Sequence, residues 1–207
     1  MGLWKGNKVI LPVAGILAIS FAYAVIRYVV LGPIEPTHIP VFVLNKSISL
    51  ASVILMFRAA LFHRANLDEG VRAWGTAALH GAYIHVLLSL SILSASYYPD
   101  FFDGEMMSLR GELVIGFGVL ALYGFWLIRR NRSVWAMTKG LQAISALALA
   151  GHVFTRGYVG WLDVSAWHGG MPPISMISFL LATASLFIFT FSGAKKRSDG
   201  TTGVIDD

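Results

Sequence analysis

The sequence contains no cysteine. Disulfide bonds, thiolate metal sites and a covalently attached c-type heme, which requires a CxxCH motif, are therefore excluded. Any prosthetic group in this protein must be held without a covalent bond, by side chains of other types.

Charged residues are also scarce. Only 13% of the 207 residues are charged, whereas 56% are hydrophobic, and the charges fall in short groups between long apolar runs. A bilayer core about 30 Å thick is crossed by about 20 helical residues. Six runs are long enough, and no stretch is left for a separate soluble domain. The sequence therefore predicts an all-α membrane protein, a six-transmembrane-helix bundle with helices at about 9–31, 46–62, 74–96, 112–128, 135–155 and 173–193.

The net charge of +5 would suggest nucleic acid if the basic residues formed a patch on a soluble fold. Instead they flank the apolar runs, which argues against a nucleic-acid partner. By the positive-inside rule they place both termini in the cytoplasm and the multi-pass bundle, residues 1–194, in the lipid of the inner (plasma) membrane. The polar tail 195–207 is expected to be disordered. The basic groups are Lys5 and Lys8; Arg64 and Arg72; Arg129, Arg130 and Arg132; and Lys195, Lys196 and Arg197.

Two histidines lie inside predicted membrane helices, His85 in helix 3 and His152 in helix 5. A charged side chain in such a segment costs about 2.5 to 3.5 kcal/mol on insertion scales, so it is kept where it has a partner. A neutral imidazole is a strong ligand for a transition metal. Small residues precede each histidine on its own helical face, so a flat ligand could lie between them, although small residues also serve plain helix packing. These residues are Ala78, Gly81 and Ala82 before His85, and Ser145 and Ala148 before His152.

His80 also lies in helix 3, but it is separated from His85 by about 140° around the helix axis, so one cofactor cannot use both. The residues that precede His80 on its own helical face form a less even surface, and His85 is therefore the preferred ligand. Depth is a further condition on the pair. His85 is 13 residues beyond Arg72 and His152 is 20 beyond Arg132, so the two meet only if the helices start unevenly or tilt.

Helix 2 is expected to open at Asn45, whose side chain can cap the exposed backbone N–H groups. Arg58 lies in the second half of this helix. It either extends toward the cytoplasmic end or pairs with a buried anion, such as a heme propionate or a lipid phosphate. Arg58 is therefore a candidate cofactor-binding residue.

In the identity and spacing of several residues, the chain resembles the ferric reductase-like transmembrane domain family. Within that family it is similar to the short heme-binding membrane subunits of the bacterial methionine-sulfoxide reductase system. The resemblance covers roughly residues 45–193 and implies that His85 and His152 ligate heme b. The family often has a second helix 5 histidine where this chain has Lys139, which leaves a second heme open. The landmarks are Asn45-Lys46, Gly75 ten residues before His85, Trp135 seventeen residues before His152, and the Gly-Gly-Met-Pro-Pro entry to helix 6.

Two imidazole ligands would fill both axial positions of a heme, so the iron would carry electrons rather than bind a substrate. The resemblance implies an electron-transfer subunit of an oxidoreductase, not a complete enzyme, with a quinol or flavin donor and possibly bound FMN or quinone. Electrons would pass to a redox partner protein at the outer face, where loops 97–111 and 157–172 are aromatic and mildly acidic. The alternative is a cofactor-free membrane scaffold or small transporter subunit, in which both histidines form interhelical hydrogen bonds.

Overall fold

A computed structural model of the protein describes residues 7–130 and 135–192. The chain is 83% helical, which confirms the all-α prediction. The tail 195–207 and the side chain of Lys139, on which two of the predictions depend, lie outside the described part. The six long helices are α1 Asn7–Val25, α2 Leu44–Arg64, α3 Asp68–Ser91, α4 Leu109–Arg130, α5 Trp135–Gly157 and α6 Ile174–Phe191.

Short turns complete the fold. A π-helical turn, Ile26–Val30, extends α1, and a second, Ile39–Val43, leads into α2. The connection between α3 and α4 contains a small antiparallel hairpin in which β1, Phe102–Asp103, pairs with β2, Met106–Met107. The connection from α5 to α6 is a series of 3-10 turns.

Four helical segments are long and apolar enough to cross a membrane: Val9–Val30, Pro36–Arg64, Leu109–Arg130 and His168–Phe191. Their outer surfaces carry large exposed apolar side chains, such as Leu11 and Leu120, which a bilayer solvates well and water does not. The chain is therefore a membrane protein. Within the described residues, α3 and α5 are equally long but less apolar, because they carry polar side chains such as His85, Gln142 and His152.

The helices form an arc. Helix α2 packs along α3, α4 packs along α5, and α6 joins the two pairs by contacting both α2 and α5; α1 covers the outside of α2. Small residues permit the close contacts within each pair. A side chain at Gly81 of α3 would overlap Ser52 of α2, and one at Gly124 of α4 would overlap Ser145 of α5. Helices α3 and α4, at the ends of the arc, touch only sparsely.

The observed bounds of α3 differ from the predicted ones at both ends: the helix starts earlier, at polar residues, and ends earlier. Helix α3 begins at Asp68 instead of residue 74 and ends at Ser91 instead of residue 96. Asp68 and Glu69 occupy its first turn, where acidic side chains interact favourably with the helix dipole. The predicted cap on helix 2 is wrong: α2 begins at Leu44 after a π-helical turn, and no side chain caps it.

Candidate functional site

A cavity of about 1040 Å³ fills the inside of the arc, between α2, α3, α4, α5 and α6. Its volume is at the upper end of the range for ligand pockets, roughly 300–1,000 Å³. Most of its wall is apolar, and cations lie at both ends. We call one end the Arg156 end, after Lys46, Arg110 and Arg156, and the other the Arg72 end, after Arg72 and Arg129.

Both predicted histidines line this one cavity. Counted from the Arg156 end, His85 lies six residues before the last residue of α3, Ser91, and His152 lies five before the last residue of α5, Gly157. At 1.5 Å per residue these depths are about 9 Å and about 7.5 Å. The unequal spacing from the arginines at the other end therefore does not separate the two rings.

His85 is held by Asn45 of α2. The His85 Nδ1 lies 2.5 Å from the Asn45 Oδ1. The Asn45 amide nitrogen donates to Ser89 Oγ at 3.0 Å and to the Tyr98 hydroxyl at 3.3 Å, and the amide oxygen is turned toward the ring. An amide oxygen only accepts, so the imidazole Nδ1 carries the proton and Nε2 carries the lone pair.

His152 is held by the backbone of α4. Its Nδ1 donates to the Val114 carbonyl oxygen at 2.7 Å. Gly118 follows Val114 by one helical turn, and a Cβ atom there would lie 2.9 Å from the same Nδ1. The glycine thus leaves room for the ring to reach the carbonyl. As in His85, the donor role of Nδ1 leaves Nε2 with the lone pair.

The two imidazoles are therefore in the same tautomer, although they belong to different helix pairs. In the described part of the chain neither Nε2 forms a hydrogen bond. An imidazole whose other nitrogen donates to a carbonyl or amide oxygen is the usual form of a metal-ligating histidine. No cluster of three or more histidine, cysteine or acidic side chains that could hold a metal occurs among the described residues, so the donor set would be this pair.

Each predicted strip of small residues faces the cavity with some of its members and a neighbouring helix with the others. Ala78 and Ala82 line the cavity beside His85, but Gly81 packs on Ser52 of α2. On α5, Leu149 lines the cavity, whereas Ser145 packs on Gly124 of α4. Part of each strip thus serves helix packing, the alternative that the sequence left open.

Cations at the Arg156 end lie against aromatic rings. Lys46 is 5.3 Å and the Arg156 guanidinium 5.5 Å from the centre of the Tyr98 ring. Arg110 pairs with Asp100 at 3.3 Å, the one ion pair seen within the described residues. The Nε atoms of Arg27 and Arg156 are buried without a hydrogen-bond partner there. Burial raises the pKa of the Tyr98 hydroxyl, against the lowering effect of Arg156, so this ring is neutral and the end of the cavity is positively charged.

Comparison with known proteins does not add a family. No family model matches the chain, and a search of curated proteins finds no match.

Arg58, the third predicted site residue, lies elsewhere. Its guanidinium is 4.2 Å from the centre of the Trp74 ring, and the described residues that line the cavity do not include it. The structure therefore brings His85 and His152 together but not Arg58. His80 is exposed on the far side of α3.

The roles of two residues at the site are not predicted by the sequence: Asn45, which contacts His85, and His63, which lines the cavity. The sequence predicts a helix cap at Asn45 and assigns no role at a site to His63, at the end of α2. His63 lines the Arg72 end of the cavity and packs edge-on against Phe189 at 5.5 Å. Neither role has a signal in the sequence, because each depends on the helix that lies opposite.

The whole arrangement fits a flat ligand that carries both a metal and negative charge. Two imidazole nitrogens are available in one cavity, the walls are apolar, and the Arg156 end has cations in excess of acidic partners among the described residues. A b-type heme has these properties, since its ring is apolar and planar and its two propionates are anionic.

Proposed function

We propose that this protein is a b-type heme-binding transmembrane electron-transfer subunit of a ferric reductase-like or methionine-sulfoxide reductase-like system. One observation carries the proposal. His85 and His152 line the same cavity, and each has its Nδ1 tied to an oxygen on a neighbouring helix. Heme, when bound, supplies one-electron chemistry at its iron.

The chain itself would hold and shield that group. His85 and His152 would hold the heme iron through their Nε2 lone pairs. Lys46 and Arg156, which line the same end of the cavity, would bind the propionate carboxylates and compensate their charge. The apolar walls of the cavity exclude water, which keeps these electrostatic interactions strong.

The proposal extends to the whole bundle. All six helices cross the inner membrane with both termini in the cytoplasm, so the Arg72 end is cytoplasmic, as the basic residues there favour. Electrons pass from a quinol or flavin donor on the cytoplasmic or quinone side toward a redox partner at the outer face. The exposed part of the connections at the Arg156 end, which includes Tyr158 and Leu162, would supply the surface for that partner.

A cofactor-free scaffold or small transporter is the second candidate. The observation that favours it is the same pair of hydrogen bonds, His85 to Asn45 and His152 to Val114. Each bond joins two helices, so both histidines have a structural role even without a metal.

Absorption spectra separate the two candidates. We expect the purified protein, expressed with excess heme, to show a b-type band in the dithionite-reduced minus oxidised difference spectrum. His85→Ala and His152→Ala should each remove it, because one of the two residues that would hold the iron is lost. The matched control is His80→Ala, on the same helix as His85 and exposed, which should retain the band.

Circular dichroism in detergent must show that each variant keeps its helical content. Absence of the band in the wild-type protein would leave the cofactor-free candidate standing. Loss of the band in His80→Ala with retention in His85→Ala would mean that the ligand on α3 is wrongly chosen.

A further inference from the structure

Asn45 occupies an unusual place for a polar side chain in a membrane helix. It is fully buried on α2 and faces α3. Every polar atom of its side chain has a partner: the oxygen contacts His85 Nδ1 and Ser89 Oγ, and the nitrogen contacts Ser89 Oγ and the Tyr98 hydroxyl. A buried polar group satisfied to this extent specifies one orientation of its neighbours.

The orientation of the amide and the tautomer of His85 are coupled. If its nitrogen faced His85, the oxygen would have to meet the Tyr98 hydroxyl, and the ring Nδ1 would have to become an acceptor. The ring proton would then lie on Nε2. A protonated Nε2 has no lone pair with which to bind a metal. Ser89 and Tyr98 are hydroxyls that can donate or accept, so it is the amide oxygen turned toward His85 that goes with the Nδ1–H tautomer.

We propose that Asn45 is the positioning residue for His85: it fixes the Nδ1–H tautomer and the ring orientation, and it sets how strongly Nε2 donates to a metal. The tautomer part stands on the hydrogen bonds alone, whereas the metal part rests on the proposed function. A hydrogen bond from Nδ1–H to an acceptor raises ligand basicity. A more basic ligand stabilises the oxidised iron and lowers its reduction potential.

The hydrogen-bond acceptors of the two histidines differ in kind: one is a side chain and the other is the backbone. His152 donates to a backbone carbonyl, which no side-chain substitution removes. His85 donates to a side chain, and the next acceptor among the described residues, Ser89 Oγ, is 3.5 Å from Nδ1, too far for a good hydrogen bond. One substitution can therefore alter one histidine and leave the other as an internal reference.

The first test needs no heme. The full-length chain, labelled with ¹⁵N-histidine in detergent and without heme, is measured by NMR, and the His85 signals are assigned with His85→Gln. We expect His85 in the Nδ1–H tautomer in the wild-type protein and a shift toward the Nε2–H tautomer in Asn45→Leu, with His152 unchanged. An Nε2–H tautomer in the wild-type protein, or no change in Asn45→Leu, overturns the proposal.

The second test uses heme. We expect Asn45→Leu to bind hemin about 10- to 100-fold more weakly, as for other outer-shell partners of metal ligands, and to raise the midpoint potential of the heme that remains. Asn45→Asp supplies a carboxylate acceptor in the same place and should retain heme with a lowered potential. The control is Ser47→Ala, which removes a buried hydroxyl of α2 bonded only to the Val43 carbonyl and should leave affinity and potential unchanged.

The two variants keep the proposal testable if one is poorly folded. Should Asn45→Leu fail to fold, an unshifted or raised potential in Asn45→Asp would still overturn the metal part. A protein that binds no heme in any form, yet shows the expected tautomer change, would remove the proposed function and leave the tautomer assignment intact.

Discussion

At the scale of single residues, the position of His152 depends on a missing side chain. The ring reaches the Val114 carbonyl across the surface of α4, and Gly118 lies directly in its path. A helix carbonyl is normally covered by the side chain one turn further on, but its second lone pair remains free to accept when that cover is absent. Glycine at 118 therefore creates the acceptor site as surely as Asn45 does for His85.

We expect Gly118→Ala to displace the His152 ring, because the added methyl would lie 2.9 Å from Nδ1. Heme affinity should fall about 10- to 100-fold, the range for loss of an outer-shell partner, measured by hemin titration. Gly140→Ala is the control on α5, since a side chain there meets no atom within 4 Å. Equal hemin affinity for Gly118→Ala and the wild-type protein would show that this hydrogen bond does not position the ligand.

At the scale of elements, small residues hold the helices in pairs, and among the described residues no ion pair joins two of the long helices. Gly124 of α4 receives Ser145 of α5, and Gly81 of α3 receives Ser52 of α2. In lipid, where apolar surface gives little drive for association, such close approach supplies the packing energy between helices. Each histidine donates its hydrogen bond within one pair, so the integrity of the pairs decides where the ligands lie.

Gly124→Ala should weaken the α4–α5 pair, because its methyl would overlap the Ser145 hydroxyl. Overpacking of this kind costs about 1 to 3 kcal/mol, and we expect a lower midpoint of thermal unfolding in detergent. Gly116→Ala lies on the same helix with nothing within 4 Å and should be neutral or stabilising. If the two variants melted together, the close contact at Gly124 would not be what holds the pair.

At the scale of the whole molecule, the number of helices that cross the bilayer depends on α3 and α5. Four segments have the necessary length and composition, while α3 and α5, which carry the histidines, are less apolar. Polar residues on an inner helix are tolerated when they face a cavity or a partner. His85, Ser89, Gln142 and His152 all line the cavity, which is why we propose that α3 and α5 also cross.

Single cysteines test this directly, since the natural chain has none. Leu67→Cys, Met106→Cys and Leu162→Cys lie in the connections before α3, before α4 and after α5, and the natural side chains there are 53%, 75% and 86% exposed. In spheroplasts, we expect a membrane-impermeant maleimide to label positions 106 and 162 at once and position 67 only after permeabilisation. Labelling of 67 and 106 from the same side would mean that α3 does not cross, and labelling of 106 and 162 from opposite sides would mean the same for α5.

The sequence by itself determined the solvent and the secondary structure. Long apolar runs with few charges can satisfy their backbone in lipid only as helices, so the membrane class and the approximate helix positions follow from composition. It also singled out His85 and His152, because ionisable side chains are rare inside such runs. Their roles as heme ligands remain a prediction.

Only the tertiary structure decided what each of these side chains meets. Asn45 has the residue type and position of a helix cap, yet it faces α3 and holds His85. Arg58 has the residue type and position of an anion-binding residue, yet its guanidinium lies against the Trp74 ring. Gly118 is one of several glycines in α4 until α5 is placed against it. The physical reason is that helical periodicity fixes which residues share a face, whereas the rotation and neighbour of each helix are set by packing against the others.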